Sequence, residues 1–431
     1  MTKPEYRIND ETRMTNDKER CAHGSSFGLR HSSLIGFSGF AILILVGLLT
    51  QQSHAQLRTL DSRHYRIHTD LGTELAEELA RRMDALHDEY SRRLVDFTPA
   101  SAPPRFEVYI FERRNEYDEL TGGNFPNTGG VFMPTRNVLA AFLEGQGRDG
   151  LRRTLQHEAF HQFAHTAISP KMPIWLNEGL AQLFEEGIYT GDRFIIEIVP
   201  PRRVRQLHAL MDAQRLIPFE LFIETTQKQW ADRRHDLALN EAQYLQAWGM
   251  VHFLVFASDD SGTPRYRQRF LEMLRHIHAG RDGREAFAAA FSTNYAGFQS
   301  RFVEWARALE PSPLAQYMEH QDVLADLLVE LHRRGHQFST IADFRAHLTD
   351  SQYPRLRYTK GDLQWLTHQD PLVYFCDLQG NPFTREQLRF EHSPGALMDL
   401  ICDPLPNVRL RTRFHNTPDK MEHELILESA R

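Results

Sequence analysis

The chain has no block of basic residues interleaved with aromatics, and its formal net charge is -7, with 50 Lys+Arg against 57 Asp+Glu. That balance leaves no electrostatic footprint for a phosphate backbone, so nucleic-acid binding is excluded as a function class. Internal repeats and low-complexity tracts are absent as well. Cysteine is scarce, with three in 431 residues. Cys21 lies in an N-terminal leader, and Cys376 and Cys402 are left either to pair or to stay as separate buried thiols, since sequence alone cannot show that their Cβ atoms meet. With 41% hydrophobic and 25% charged residues, the composition is that of a globular protein large enough for about two or three cores.

Long apolar runs are also few. The clearest is Leu34 to Leu49, preceded by Arg30 and His31 and followed by Ser53-His54-Ala55. A basic flank, an apolar stretch and small residues three and one positions before a cut after Ala55 describe a secretory signal. The run is short of the ~20 residues that span a bilayer, although an uncleaved anchor over residues 34–50 is the alternative. Met14 is a second candidate start. Either way the remainder is expected to be exported, to a periplasmic or extracellular location.

After this leader (residues 1–55), a domain over 57–310 and another over 314–431 are expected, divided at Pro311-Ser312-Pro313. His64 to Thr69 alternates as a strand does, and Leu75, Leu79, Met83, Leu86, Tyr90 and Leu94 then recur at helical spacing. Phe106 to Phe111 reads as a second strand, and Val131-Phe132-Met133 with Val138 to Phe142 as a hairpin. Helices follow from about Leu151 to His165 and from Pro173 to Gly187, with another opened by Asn240 and Gln243 as a capping pair. Arg284 to Leu309 gives two more, with Phe298, Phe302, Trp305 and Leu309 on one face. Leu314 to Leu348 looks helical, and the chain ends in strands through Val408, Leu410, Thr412 and Phe414 and through Leu425-Ile426-Leu427, joined by a turn at Asn416 to Asp419. The expected class is α+β: a small mixed sheet, a mainly helical catalytic domain, and a mixed C-terminal domain with no legible chemistry.

The chemistry is concentrated in His157-Glu158-Ala159-Phe160-His161. Residues four apart share a helix face, so His157 and His161 can grip one zinc ion while Glu158 projects beside the open position as a general base. Glu178 follows on the next helix after a proline-bounded loop long enough for an antiparallel return. His165 continues the same ladder, but helix geometry carries a third turn away from the ion. His252 reads as core or as a support for the ligands, and His332 and His336 as a solvated helix end.

These segments resemble the gluzincin superfamily, above all the aminopeptidase N and leukotriene hydrolase family, whose second motif is Trp-Leu-Asn-Glu-Gly-Phe-Ala. Here it stands as Trp175-Leu176-Asn177-Glu178-Gly179-Leu180-Ala181. The family's later tyrosine pattern has an echo in Tyr244 to His252. The likeness covers Leu151 to Phe256, and the preceding strand, helix and hairpin are similar to compact peptidase-MA-like domains of exported bacterial proteins. It implies a zincin-like fold, Zn2+ held by His157, His161 and Glu178, Glu158 activating the zinc-bound water, and the Tyr244 hydroxyl sharing the oxyanion. The substrate expected is a peptide or protein. The family's amine-binding Gly-x-Met-Glu-Asn segment is replaced by Gly129-Gly130-Val131-Phe132-Met133-Pro134 with no acid, which favours endopeptidase over aminopeptidase action. Two other readings share the site: a non-catalytic, zinc-stabilised envelope scaffold with the C-terminal domain as its interaction surface, and a zinc amidase acting on cell-wall peptide.

Overall fold

The computed structural model describes residues 57–97, 104–349, 357–360, 363–366, 371–393, 397–416 and 421–429. The leader, the run at residues 34–50 and most of the turn at 416–419 lie outside them. No helix among the described residues is long and apolar enough to cross a membrane.

The first layer is a five-stranded sheet of β1 (Arg58–Asp61), β2 (Tyr65–Thr69), β3 (Phe106–Phe111), β4 (Gly130–Met133) and β5 (Val138–Phe142), in the order β1-β2-β3-β5-β4. Tyr65, Ile67 and Thr69 are fully buried while Arg66 and His68 face outward, the alternation of a strand with one covered face. The parallel β2–β3 pair needs a crossover, and α1 (Thr73–Arg93) supplies it. The short α2 (Arg114–Thr121) leads to the antiparallel hairpin that pairs Phe132 with Leu139. This hairpin leaves β4 at the sheet edge.

Helix α3 (Gly147–Phe163) packs on the sheet and on α1 through Leu151, Leu155, Ala159, Phe160 and Phe163, all at most 2% exposed. A π-helical turn, Ala164–Ile168, closes it with Ser169 N–H donating to Ala164 C=O. The chain then reverses into α4 (Ile174–Glu185), with the small ribbon β6 (Ile188–Tyr189) and β7 (Phe194–Ile195) beyond it. A helical layer follows: α5 (Pro201–Asp212), α6 (Phe219–Ile223), α7 (Gln227–Asp232), α8 (Leu237–Phe256), α9 (Arg267–His278), α10 (Gly283–Ala290) and α11 (Tyr295–Arg307). Phe298 and Phe302 are buried, with Trp305 and Leu309 packed against the same core, as their spacing predicts.

The capping expectation is corrected. Helix α8 opens a turn earlier, where the Asp236 side chain accepts from the N–H groups of Ala238 and Leu239, whereas Gln243 and Asn240 bond to one another inside the helix.

Beyond Pro311 a second core forms between α12 (Pro313–Arg333), α13 (Ile341–Thr349) and an antiparallel sheet. A ribbon of β8 (Arg357–Lys360) and β9 (Leu363–Leu366) precedes that sheet, whose strands are β10 (Leu388–Glu391), β11 (Asp399–Leu405), β12 (Val408–Asn416) and β13 (Met421–Ser429), in sequence order. Leu410, Thr412 and Phe414 turn inward, and Gln321 on α12 donates to the Leu400 and Leu410 carbonyls. Gly335, at φ +89°, sits in the break between α12 and α13, so the stretch that reads as one helix is two. Cys376 and Cys402 are both free thiols. The class is α+β, with a small mixed sheet, a helical middle and a C-terminal antiparallel sheet.

Candidate metal centre

One face of α3 carries Arg153, His157 and His161 at four-residue steps. The two imidazoles stand 4.8 Å apart between ring centres, with their planes at 82°. Glu178 comes to them from α4. Its neighbour Gly179 lies so close to α8 that an added Cβ would stand 2.5 Å from the Ala247 carbonyl oxygen. With position 179 turned to α8, residue 178 turns to α3. Glu178 Oε2 lies 3.3 Å from His157 Nε2 and 3.7 Å from His161 Nε2, and one donor atom from each of the three residues falls within 4.8 Å of the others.

This donor set fits zinc. Two atoms each about 2.05 Å from one tetrahedral ion lie about 3.3 Å apart, close to the observed separations. The ring of His157 is also oriented for the task, because its other nitrogen, Nδ1, lies 3.1 Å from Glu185 Oε2. Glu185 in turn receives Arg153 Nη2 at 2.6 Å. Burial opposes charge on His157, but Glu178 and Glu185 outweigh it and hold the imidazole pKa well above its usual range. For Glu185 burial also opposes the charge, and Arg153 and His157 overcome it, bringing the carboxyl down to about 2. His161 Nδ1 is buried without a hydrogen-bond partner among the described residues.

Glu158 sits on the adjoining face of α3, where its Oε2 accepts the backbone N–H of Phe132 at 2.8 Å. The carboxylate is therefore anchored to the backbone of β4 at the sheet edge. Gln156 holds the two ligand helices in register: its side-chain amide donates to the carbonyls of Phe184, Glu185 and Gly187 at the end of α4.

The structure brings together His157, His161 and Glu178, and holds Glu158, the next residue after His157, against the Phe132 amide. Tyr244 lies on α8 one turn before Ala247, with its ring against Trp230 at 5.1 Å. His165 stays out of the cluster, its ring 5.5 Å from Phe132. His252 is core, flanked by Trp248, Phe256 and Trp305. His332 is in the last turn of α12, and the exposed His336 lies just beyond it against His347. A second histidine pair, His64 and His87 beside Asp88, stacks with its planes at 15°. Parallel rings send their lone pairs in parallel, so this pair does not converge on an ion.

Glu185 and the Phe132 amide are the site members that motif reading misses. Glu185 had a signal: it lies seven residues after Glu178, two turns along the same face of α4. A backbone donor leaves no such trace.

Residues 152–268 match the family model described as "Protein of unknown function (DUF1570)". That span holds His157, Glu158, His161, Glu178 and Tyr244. No curated protein matches the chain.

Proposed function

We propose that the chain is a zinc-dependent peptide-bond hydrolase of the gluzincin kind, an exported enzyme acting within polypeptides. The observation that carries this reading is the convergence of His157, His161 and Glu178 with a non-ligand carboxylate, Glu158, fixed beside them. A purely structural zinc site uses a closed shell of four protein ligands and has no need of such a base.

His157, His161 and Glu178 would hold the zinc ion, which when bound would supply Lewis-acid activation of water and of the scissile carbonyl. Glu158 takes the proton from the attacking water as its oxygen bonds to the carbonyl carbon. The same carboxylate passes that proton to the nitrogen as the C–N bond breaks, a role that contributes ~10²–10⁴-fold. The Tyr244 hydroxyl is proposed as donor to the oxyanion on the likeness of residues 244–252 to the family's tyrosine pattern. Glu185 and Arg153 keep the His157 ring in place. As an edge strand, β4 offers outward backbone groups to an extended peptide, beside the carboxylate that Phe132 positions.

The test is metal analysis of the purified mature chain, combined with hydrolysis of a mixed peptide library with and without chelator. Glu158→Gln is expected to keep the metal and lose ~10²-fold or more in turnover, whereas His161→Ala loses both. Wild-type hydrolysis by Glu158→Gln, or a chain that takes up no metal, would falsify the reading.

A further inference from the structure

A cavity of about 530 Å³ lies between the two cores, behind the Glu185 carboxylate that bonds to His157. Its walls include Arg82 of α1, Arg152 of α3, Glu185 at the end of α4, Met318 of α12 and Ile426 of β13. Strand β13 is the outermost of its sheet and pairs with β12 along its whole length on one side. Four consecutive residues, Glu424, Leu425, Ile426 and Leu427, line the cavity. Consecutive residues point to opposite faces of a sheet, so what these four share is the strand's edge. Among the described residues their backbone makes no hydrogen bond beyond the β12 ladder. An antiparallel edge strand turns the N–H and C=O of every second residue outward. The lysine, proline or bulge that commonly blunts such an edge is missing from these four positions.

The charges around the cavity are unequally engaged. Glu78, Asp149, Glu185, Glu186, Glu319 and Glu424 each accept an arginine hydrogen bond. In contrast, Arg81, Arg148 and Arg413 donate no hydrogen bond among the described residues and approach their nearest carboxylates only at 3.9, 3.8 and 3.7 Å. Most of the unused hydrogen-bonding capacity at this cavity is therefore cationic, with the exposed Glu74 the main exception on its rim.

We propose that this cavity binds an acidic, extended polypeptide segment as a fifth strand along β13. Its backbone would complete the open edge, and its carboxylates would accept hydrogen bonds from Arg81, Arg148 and Arg413, whose present ion pairs are long. The cavity shares Glu185 and Arg153 with the support of His157, but it requires no metal, does not include Glu158, and is tested through neither shared residue, so its failure is distinguishable from that of the hydrolase reading.

The experiment uses the full chain treated with chelator, so that the probe stays intact. A fluorescent peptide of about eight residues alternating valine and glutamate is titrated by anisotropy, beside a twin alternating valine and lysine. The acidic peptide is expected to bind roughly tenfold or more tighter, and the double variant Arg81→Glu/Arg413→Glu to reverse that order. Both arginines are well exposed, so the variant keeps the core. Hydrogen exchange at the amides of residues 424–427 is expected to slow when the acidic peptide binds. Equal affinity for the two peptides, an unchanged preference in the double variant, or unprotected β13 amides overturns the proposal. So does full displacement of the peptide by inorganic phosphate, which would mark a site for small anions only.

Discussion

Glu185 reaches back from the last turn of α4 to place its Oε2 3.1 Å from Nδ1 of His157, and Arg153, one turn before that histidine, holds the carboxylate from the other side. The His157 nitrogen that faces Glu178, the one proposed to bind the metal, is thus selected by a partner outside the proposed ligand set. Carboxylates of this kind fix the ring's tautomer and raise its basicity, and their loss costs ~10–100-fold in metal affinity. Glu185→Gln is expected to weaken zinc binding by that amount in a chelator competition titration while leaving the far-UV circular dichroism unchanged. An affinity equal to wild type would show that the contact does not orient the ring.

Gly179 tests how Glu178 is aimed. A methyl group at 179 would stand 2.5 Å from the Ala247 carbonyl oxygen and 2.6 Å from Val251 Cγ2, and helix backbone does not yield as a flexible side chain does. Gly179→Ala is expected to push α4 from α8, to destabilise the fold by about 1–3 kcal/mol and to weaken metal binding with it. Calorimetry with a metal titration checks both. Unaltered stability would mean that the two helices separate freely.

How much of this could be read in the sequence depended on whether the signal was local. Strand β2, most of β3 and helix α1 show because each buries one face at a fixed period, the β4–β5 hairpin because two short apolar runs flank a turn, and the two histidines and Glu178 because a short loop brings them together. The start of α8 escapes a reading of apolar spacing because its first turn carries Leu237 and Leu239, 77% and 41% exposed, and the Asp236 cap lies before any periodic residue. The short α2, with only Tyr117 and Thr121 buried, has too few turns to establish a period. Arg152 and Glu424, 272 positions apart yet 2.7 Å from each other, could not be paired by any rule of spacing.

That long-range pair predicts an acid-sensitive bond between the two cores. Burial opposes the charge on Glu424, but hydrogen bonds from His415 and Arg152 bring its carboxyl down to about 2. A carboxylate depressed in the folded state contributes stability above its unfolded value of ~4.3, and that contribution is lost as pH falls toward 2. Arg152 keeps Glu78 and Asp149 when Glu424 is removed, which limits the loss. Glu424→Gln is expected to cost about 1.5–3 kcal/mol at pH 7 and progressively less below pH 4, as urea titrations across pH would show. A constant difference from pH 7 to pH 2.5 would rule out a role for its ionisation.

His252 predicts the opposite kind of substitution, one that stabilises. Only 4% of the residue is exposed, and among the described residues neither ring nitrogen has a hydrogen-bond partner. Burial pushes its pKa down to about 4, so the folded chain resists a proton that the unfolded chain accepts near 6.5. The sign follows: above pH 6.5 the group is neutral in both states, and as pH falls from 6.5 to 4 the unfolded state gains, to a limit of about 3 kcal/mol. His252→Phe removes the titration and two unsatisfied nitrogens, while a six-membered ring takes its place among Trp248, Phe256 and Trp305. The variant is expected to gain about 1 kcal/mol at pH 7.5 and clearly more at pH 4.5. Thermal unfolding at the two pH values decides the matter, since a variant no more stable at pH 4.5 than at 7.5, relative to wild type, would mean that His252 already finds a proton or a partner in the folded chain.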